Sequence, residues 1–380
     1  MKKQKYKVVI IKTLLKQYRV ALFDKLYDEL KKKDIELFVM YGKSDSNHSS
    51  RNDNIELNRR PYKKIKNFYF FKERLLLQWP GIKNLTDTDL LIIVNANRNI
   101  INFFFLIFKK IIFFKIALWG HARNNQSKRN NFFDFIKKKI VVQPDYWFSY
   151  SKIEYNYLKK LGYKKNNISI IDNAIDTISF SNEISEVTKK QLNYVRKKFN
   201  ISKIDKIGLY CGSLYAEKRI QFLLDAAIRI YSSNNNFKLI IIGSGPDAKL
   251  VRDFSSVHQC VIYVDSVFGP EKQIFFSLAD IFLNPGLTGL GILDAFSGSL
   301  PFITMTDSLH SPEISYLKNN KNGFMVDGGL NDFVKCSEKL LNDDKLRYSM
   351  GVEAYQTSQR YTLDNCVKKI KKGIMTCISK

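Results

Sequence analysis

The stretch from Asn284 to Thr304, NPGLTGLGILDAFSGSLPFIT, places glycines 286, 289 and 291 ahead of one carboxylate, Asp294, inside an otherwise apolar run. Residues in that order spell the end of a buried strand, a glycine-rich turn and the first turns of a helix. Backbone N–H groups of such a turn, here Gly289, Leu290 and Gly291, converge where a helix begins, and that geometry binds phosphate. A carboxylate just beyond it can accept from both hydroxyls of a vicinal diol, so Asp294 is expected to anchor a ribose beside the phosphates. The plainer alternative is that the glycines only close a turn and that Asp294 is a helix N-terminal charge favoured by the dipole.

Two other strand ends carry the same signature. In YCGSLYAEKRI, Gly212 and Ser213 close a strand, and Lys218 and Arg219 arrive at the start of a helix, which suits a pyrophosphate. In IIGSGP, Gly243 and Gly245 close a third strand. A single GSG is a weak signal, whereas three such ends in one region point to one ligand, because parallel sheets bind ligands at the carboxyl ends of their strands. A further chemical side chain, His121, ends the apolar run in LWGHARN; its plainer reading is a histidine satisfied by backbone at a strand end.

The elements that must position these residues alternate. KYKVVIIK reads as a strand, YRVALFDKLYDELKKK as a helix with charges on its outer side, and DIELFVMYG as a strand closed by glycine, which together make a βαβ unit. KNFYFF, DLLIIVNA, KIALWGH, DYWFSYS and NISIIDNAID continue as strands of a parallel sheet buried on both faces. Residues 178 to 205 are polar and mostly helical and mark the expected domain boundary. Alternation then restarts through KIGLYCGS, KLIIIGSG, CVIYVD and DIFLNPG. The expected fold class is α/β, with two doubly wound parallel-sheet domains of Rossmann type in tandem.

Composition bounds the partners. With 380 residues, 45% of them apolar and 26% charged, the chain is a folded globular protein of more than one domain. The five cysteines are scattered without CxxC spacing, so neither a disulfide framework nor a zinc site is indicated, and a reducing cytoplasm fits. The N-terminal MKKQKYKVVIIKTLL is interrupted by Lys12 and reads as a first buried strand, not a signal peptide. Net charge is +26, and residues 1 to 180 hold 36 Lys and Arg against 16 Asp and Glu. That asymmetry calls for a polyanionic partner or reflects a solvated Lys-rich face. In residues 99 to 142, aromatic clusters alternate with Lys109, Lys110, Lys115, Lys128, Arg129, Lys137, Lys138 and Lys139. No apolar run there approaches the roughly 20 residues of a membrane span, so a surface lying on an anionic membrane is expected. The alternative for this segment is a buried helix and strand with surface lysines. Nucleic-acid binding is the competing class for the charge, yet no RNA-recognition, KH or zinc motif is present.

In combination, GSLYAEKR, IIGSGP, LADIFLNPGLTGLGILDAFSGSLPFIT and HSPEISYLKNNKNGFMV resemble the donor domain of retaining glycosyltransferases of family 4, which have the GT-B architecture. KQYRVALFDKL, which contains Arg19, LWGHARN and IDNAIDT resemble parts of the acceptor domain, so the likeness spans nearly the whole chain. It implies transfer of a hexose-type sugar from a nucleoside diphosphate sugar, with retention, in a cleft between two domains and without a required metal or other cofactor. It also implies that Lys218 contacts the donor diphosphate with help from Arg219, that Asp294 is the second acid of the family's paired motif, and that His121 lies near the donor sugar. His310 and Glu313 fall in a loop facing the nucleotide sugar. Two positions depart from the pattern: Gly286 stands where the first acid of the pair would be, and Ser213 where an arginine is usual. A non-catalytic nucleotide-sugar binder is the reading that Gly286 keeps open. The domains expected are an acceptor-binding domain over 1–178, a donor-binding domain over 179–358 and a helix over 359–380 crossing back to the first. The expected role is extension of a lipid-linked saccharide for a bacterial surface polysaccharide, O-antigen or capsule. The enzyme would sit peripherally on the cytoplasmic face of the membrane, with no nucleic acid as partner.

Overall fold

A computed structural model describes residues 6–43, 54–96, 98–122 and 140–380. By internal contacts the chain divides into two compact units, residues 1–173 with 363–380, and residues 174–362.

In the first unit, the β-branched run at the N-terminus becomes β1 (Tyr6–Lys12), followed by β2 (Ile35–Tyr41) and β3 (Tyr62–Lys64). Next come β4 (Lys66–Phe70) and β5 (Leu75–Trp79), then β6 (Leu90–Val94), β7 (Lys115–Gly120), β8 (Tyr146–Ser149) and β9 (Ile168–Ile170). Seven of these form one sheet in the order β3-β2-β1-β6-β7-β8-β9, with every pairing parallel. Val8 to Ile11 and Leu90 to Ile93 are buried, as central strands covered on both faces require. Strand order reverses between β1 and β6, so the carboxyl edge at that pair is a topological switch point.

One strand assignment is corrected. KNFYFF lies outside the parallel sheet: β4 pairs antiparallel with β5 as a two-stranded hairpin. Its alternation leaves Phe68 and Phe70 outward, a pattern of a one-sided ribbon and not of a central strand. The hairpin is tied to the neighbouring helix Ile100–Ile107 through its start, where Leu76 N–H donates to the Arg98 carbonyl (2.7 Å) and Asn99 Nδ2 to Gln78 Oε1 (2.9 Å).

The second unit holds β10 (Lys206–Cys211), β11 (Phe237–Ile242), β12 (Val261–Val264), β13 (Ile281–Leu283), β14 (Phe302–Met305) and β15 (Gly323–Val326). They form a second parallel sheet in the order β12-β11-β10-β13-β14-β15, whose switch point lies between β10 and β13. Period-two alternation is visible in β11. Leu239 and Ile241 join the hydrophobic cluster on one face, and Ile240 and Ile242 join the cluster on the other. The polar stretch after residue 178 forms helices Thr177–Ser185 and Lys189–Lys198, the latter opened by a Thr188/Gln191 capping box. Both pack into the second unit, Phe180 edge-on to Phe276 and Val195 in the same cluster.

The last helix, Leu363–Ile378, belongs to the first unit. Ion pairs Lys25–Asp364 (2.7 Å) and Lys371–Glu29 (2.5 Å) join it to helix Gln17–Lys31. Gly373 lets it lie against the sheet, since a Cβ there would sit 2.5 Å from the Phe148 ring. All five cysteines are free thiols. Among the described residues no helix is long and apolar enough to cross a membrane.

Candidate functional site

The glycine-rich ends of β10 and β13 meet at the switch point of the second sheet. Gly286 is buried, and a Cβ on it would lie 2.4 Å from the Glu217 carbonyl oxygen and 2.5 Å from the Lys218 Cα. The position that would carry the first acid of a paired motif therefore seats one loop against the backbone of the other, and no acid fits there. Leu287 N–H donates to the Glu217 carbonyl (2.7 Å), and Lys218 Nζ returns a bond to the Leu287 carbonyl (2.5 Å). Lys218, half-buried, thus holds the loop after β13.

Beyond that seat the loop is pinned at Thr288, whose N–H donates to His310 Nδ1 (3.2 Å). His310 Nε2 donates in turn to the Met305 carbonyl (2.7 Å), which fixes the tautomer. Burial, with Lys218 nearby, holds the imidazole below its ordinary pKa despite the pull of the Met305 carbonyl, so the ring is neutral. His310 is a brace for the loop in this arrangement. Glu313, in the 3-10 turn Pro312–Tyr316, is buried.

The following residues are left open. Helix Gly291–Ser297 starts after Leu290 with no side-chain cap. The N–H groups of Ile292 and Leu293 are used within the turn, by the Gly289 and Leu290 carbonyls. Those of Gly289, Leu290 and Gly291 take no acceptor among the described residues. A Cβ at Gly289 would meet nothing within 4 Å, so the backbone there faces open space. The helix has only two turns, so these free amides, more than a macrodipole, give the loop its affinity for an anion.

Asp294 sits in the first turn of that helix, half-buried, and its Oδ2 accepts from Lys272 Nζ (2.8 Å). The Lys272 ammonium also lies over the Phe180 and Phe276 rings, at 4.9 and 5.4 Å. Burial would lower the lysine pKa, but Asp294 more than offsets this, so the lysine is held above its ordinary value and stays charged. The sequence reading missed Lys272; a lysine 22 residues upstream in another helix leaves no local signal. Arg219 occupies the left-handed region (φ 56°) and reaches Asp307 Oδ1 (2.6 Å), an ion pair that bridges two loops of the same edge.

The third glycine pair has a packing role. A Cβ on Gly243 would lie 1.9 Å from the Gly212 carbonyl oxygen, and one on Gly245 2.2 Å from that of Leu214. Both have positive φ, so IIGSGP lets two strand-end loops touch. Ser213 contributes its carbonyl to the Tyr210 hydroxyl (2.9 Å).

In the first unit, His121 follows β7 and is half exposed, with Nδ1 3.3 Å from Glu154 Oε1. Glu154 is buried and also accepts from the Ser151 hydroxyl. Burial alone would raise its carboxyl, yet the bonds from His121 and Ser151 bring it below the ordinary carboxylate value, so it is ionised. An ionised partner on Nδ1 selects the Nδ1–H tautomer and leaves Nε2 as the ring's acceptor. Ser151 doubles as N-cap of helix Lys152–Lys160, which places Glu154 three residues into the helix. The sequence reading named His121 and missed this partner.

The basic segment is rearranged. Lys109 pairs with Asp145 (2.7 Å) and Lys115 Nζ donates to the Cys377 carbonyl (2.8 Å), so both are structural; Lys110 is exposed. Lys128, Arg129 and Lys137 to Lys139 lie outside the described residues. Arg19 is buried in helix Gln17–Lys31 and bonds the Asn173 side chain, so it does not lie on an outer surface. What protrudes is apolar: helix Ile100–Ile107 buries Ile101, Phe105 and Leu106 and exposes Ile100, Phe104 and Ile107, continued by Phe108 and Ile111.

Comparison with known proteins places this geometry. Residues 205–343 match the family model for glycosyl transferases group 1. An alpha-monoglucosyldiacylglycerol synthase of Acholeplasma laidlawii is 28% identical over 145 residues, 37% of this chain and 36% of that protein, so the match spans about a third of the relative's length. A glycosyltransferase from Rickettsia africae has the same fold at a TM-score of 0.70 and 12% identity, covering 99% of both chains. Anabaena HepE, solved in complex with UDP, aligns at a TM-score of 0.69 and 11% identity over 98% of this chain and all of that one. The fold is GT-B, and the match to the group 1 glycosyl transferase model falls within the second unit.

Proposed function

We propose that this chain, with a GT-B fold and a group 1 glycosyltransferase domain in its second half, transfers a hexose-type sugar from a nucleoside diphosphate sugar to a lipid-linked acceptor, with retention at the anomeric carbon. One observation carries the reading: at the switch point of the second sheet, three unoccupied amides from Gly289 to Gly291, the Lys218 ammonium and the Asp294 carboxylate are held on one braced loop pair. Amides and ammonium suit a diphosphate, and the carboxylate suits a ribose. Departure of the nucleoside diphosphate builds charge on phosphate oxygens, which Lys218 and the amides stabilise more in the transition state than in the ground state. His121, oriented by Glu154, presents Nε2 to the sugar. The proposal asks for no metal ion.

The lipid acceptor is supported by the relative's name, a glucosyldiacylglycerol synthase, and by the exposed apolar face of the first unit. On this proposal the enzyme works peripherally at the cytoplasmic face of the membrane, in surface glycolipid or polysaccharide synthesis. The test is a panel of UDP, GDP and other nucleotide sugars. The true donor raises the melting temperature, because it binds only the folded state, and is consumed when lipid acceptor is added. A chain that neither binds nor consumes any nucleotide sugar would exclude the reading, and one that binds without turnover would favour the non-catalytic binder.

A further inference from the structure

Lys12 closes β1 at the switch point of the first sheet. It is 9% exposed, yet among the described residues no carboxylate and no hydrogen-bond acceptor meets its ammonium. Its recorded neighbours are the face of Trp119, 4.7 Å from Nζ, and a second cation, Arg19, itself 6% exposed. Desolvation and the field of Arg19 pull the lysine down to about 7. Strand register sets Ile11 opposite Ile93 and Val94 opposite Trp119, so Lys12 and Trp119 stand at one level of the sheet's carboxyl edge, two residues before His121. The buried Trp119 Nε1 also lacks an acceptor among the described residues. A charged lysine is almost never buried without a counter-ion, and two like charges raise the cost. Kept protonated, the lysine calls for something anionic to complete its surroundings.

We propose that Lys12, reinforced by Arg19, is a binding site for a phosphate group carried by the acceptor. The location is that of ligands in doubly wound sheets, and the lysine brings a charge that no group among the described residues neutralises. An anion there replaces the missing counter-ion and keeps the ammonium protonated. This rests on the glycosyltransferase reading only for the word acceptor; the anion site itself stands on the first unit alone.

The test titrates inorganic phosphate calorimetrically into the full chain and Lys12→Met, each with and without saturating UDP. Methionine keeps the length of the stem and removes the charge. Phosphate is expected to bind in the presence of UDP, and at least tenfold more weakly to Lys12→Met than to the parent. A rise in melting temperature of Lys12→Met shows that the variant folds. Equal phosphate affinity in Lys12→Met and parent overturns the site, and displacement of phosphate by UDP assigns it to the donor's own phosphates and overturns the acceptor role. If UDP fails to bind at all, the donor reading fails, while the Lys12 comparison without UDP still decides this one.

Discussion

At the scale of single residues, charge and burial give opposite forecasts for two groups. Asp294→Asn keeps the shape of the side chain and removes its charge, so nucleoside diphosphate affinity should fall by about 1.5 to 3 kcal/mol, the scale of a charge-assisted hydrogen bond. Asp294→Ala should lose the same affinity and also melt earlier, because Lys272 would be left half-buried between two phenylalanine rings without its anion. Calorimetry with UDP and a melting scan separate the two effects, and unchanged affinity in the Asn variant would remove Asp294 from the site. Lys12 behaves in reverse, since its folded pKa lies below its ordinary 10.5, at about 7. The unfolded chain therefore binds more protons between those values, stability rises with pH across that window, and the cost of the buried charge is fully present below it. Lys12→Met should accordingly stabilise the chain by several kcal/mol below pH 7, at roughly 1.4 kcal/mol per unit, with a gain that shrinks toward pH 10.5. A pH series of melting curves in phosphate-free buffer reads this directly. Glu154 has the other sign: held below the usual carboxylate range, it contributes stability above the unfolded value that is lost as pH falls through the folded one. Glu154→Gln keeps a partner for Ser151 but no longer charges the far side of His121, and should lower turnover about tenfold with little change in donor KM. Equal turnover would reduce Glu154 to a structural cap.

At the scale of elements, the loop after β13 is the part most tightly specified. Gly286→Ala must push the backbone of Glu217 and Lys218 aside, so it should destabilise the second unit by about 1 to 3 kcal/mol and abolish UDP binding. Gly289→Ala, two turn residues away and facing open space, should leave stability within about 0.5 kcal/mol of the parent. Were the two variants equal in melting temperature, the seating role of Gly286 would be refuted. This contrast also shows what the sequence could and could not reveal. Strands such as VVII and LIII and the glycine-rich ends were legible because burial on both faces and tight turns each demand particular residue types within a few positions. The partners Lys272 for Asp294 and Glu154 for His121 were not, because they arrive from other helices and a pairwise contact across 22 or 33 residues leaves no periodic trace. KNFYFF misled for a related reason: a hairpin ribbon and a buried strand can share aromatic composition, and only the pairing partner distinguishes them. The glycines of IIGSGP were legible as a tight strand end, but their purpose, contact between two loops, depended on a neighbour outside the motif.

At the scale of the whole molecule, the surplus of positive charge and the exposed aromatic face belong to the same unit. Phe71 at the hairpin tip is 76% exposed, with Phe68, Phe70 and Trp79 also outward, and Lys72 and Arg74 flank the tip. Helix Ile100–Ile107 adds Phe104 and Ile107, followed by Phe108 and the exposed Lys110. Apolar side chains ringed by cations are what an interfacial surface needs: the rings enter the acyl boundary and each cation gains about 1 kcal/mol at an anionic headgroup layer. On the proposed function, these exposed apolar side chains suit a membrane surface, since in water they are a liability. The division of labour predicts separable losses. Replacing Phe71, Phe104 and Phe108 together by Ser should leave folding and UDP affinity near the parent, since these side chains are exposed, while cosedimentation with anionic vesicles falls at every salt concentration. Replacing Lys72, Arg74 and Lys110 by Gln should weaken sedimentation mainly at low salt, because exposed charges are screened beyond roughly 10 Å at 0.1 M. Transfer to a lipid acceptor in vesicles should slow in both variants, and transfer to a short water-soluble analogue in neither. Binding of the triple Ser variant to anionic vesicles as tight as the parent's would show that this face does not insert, and would leave the charge of the first half to another role.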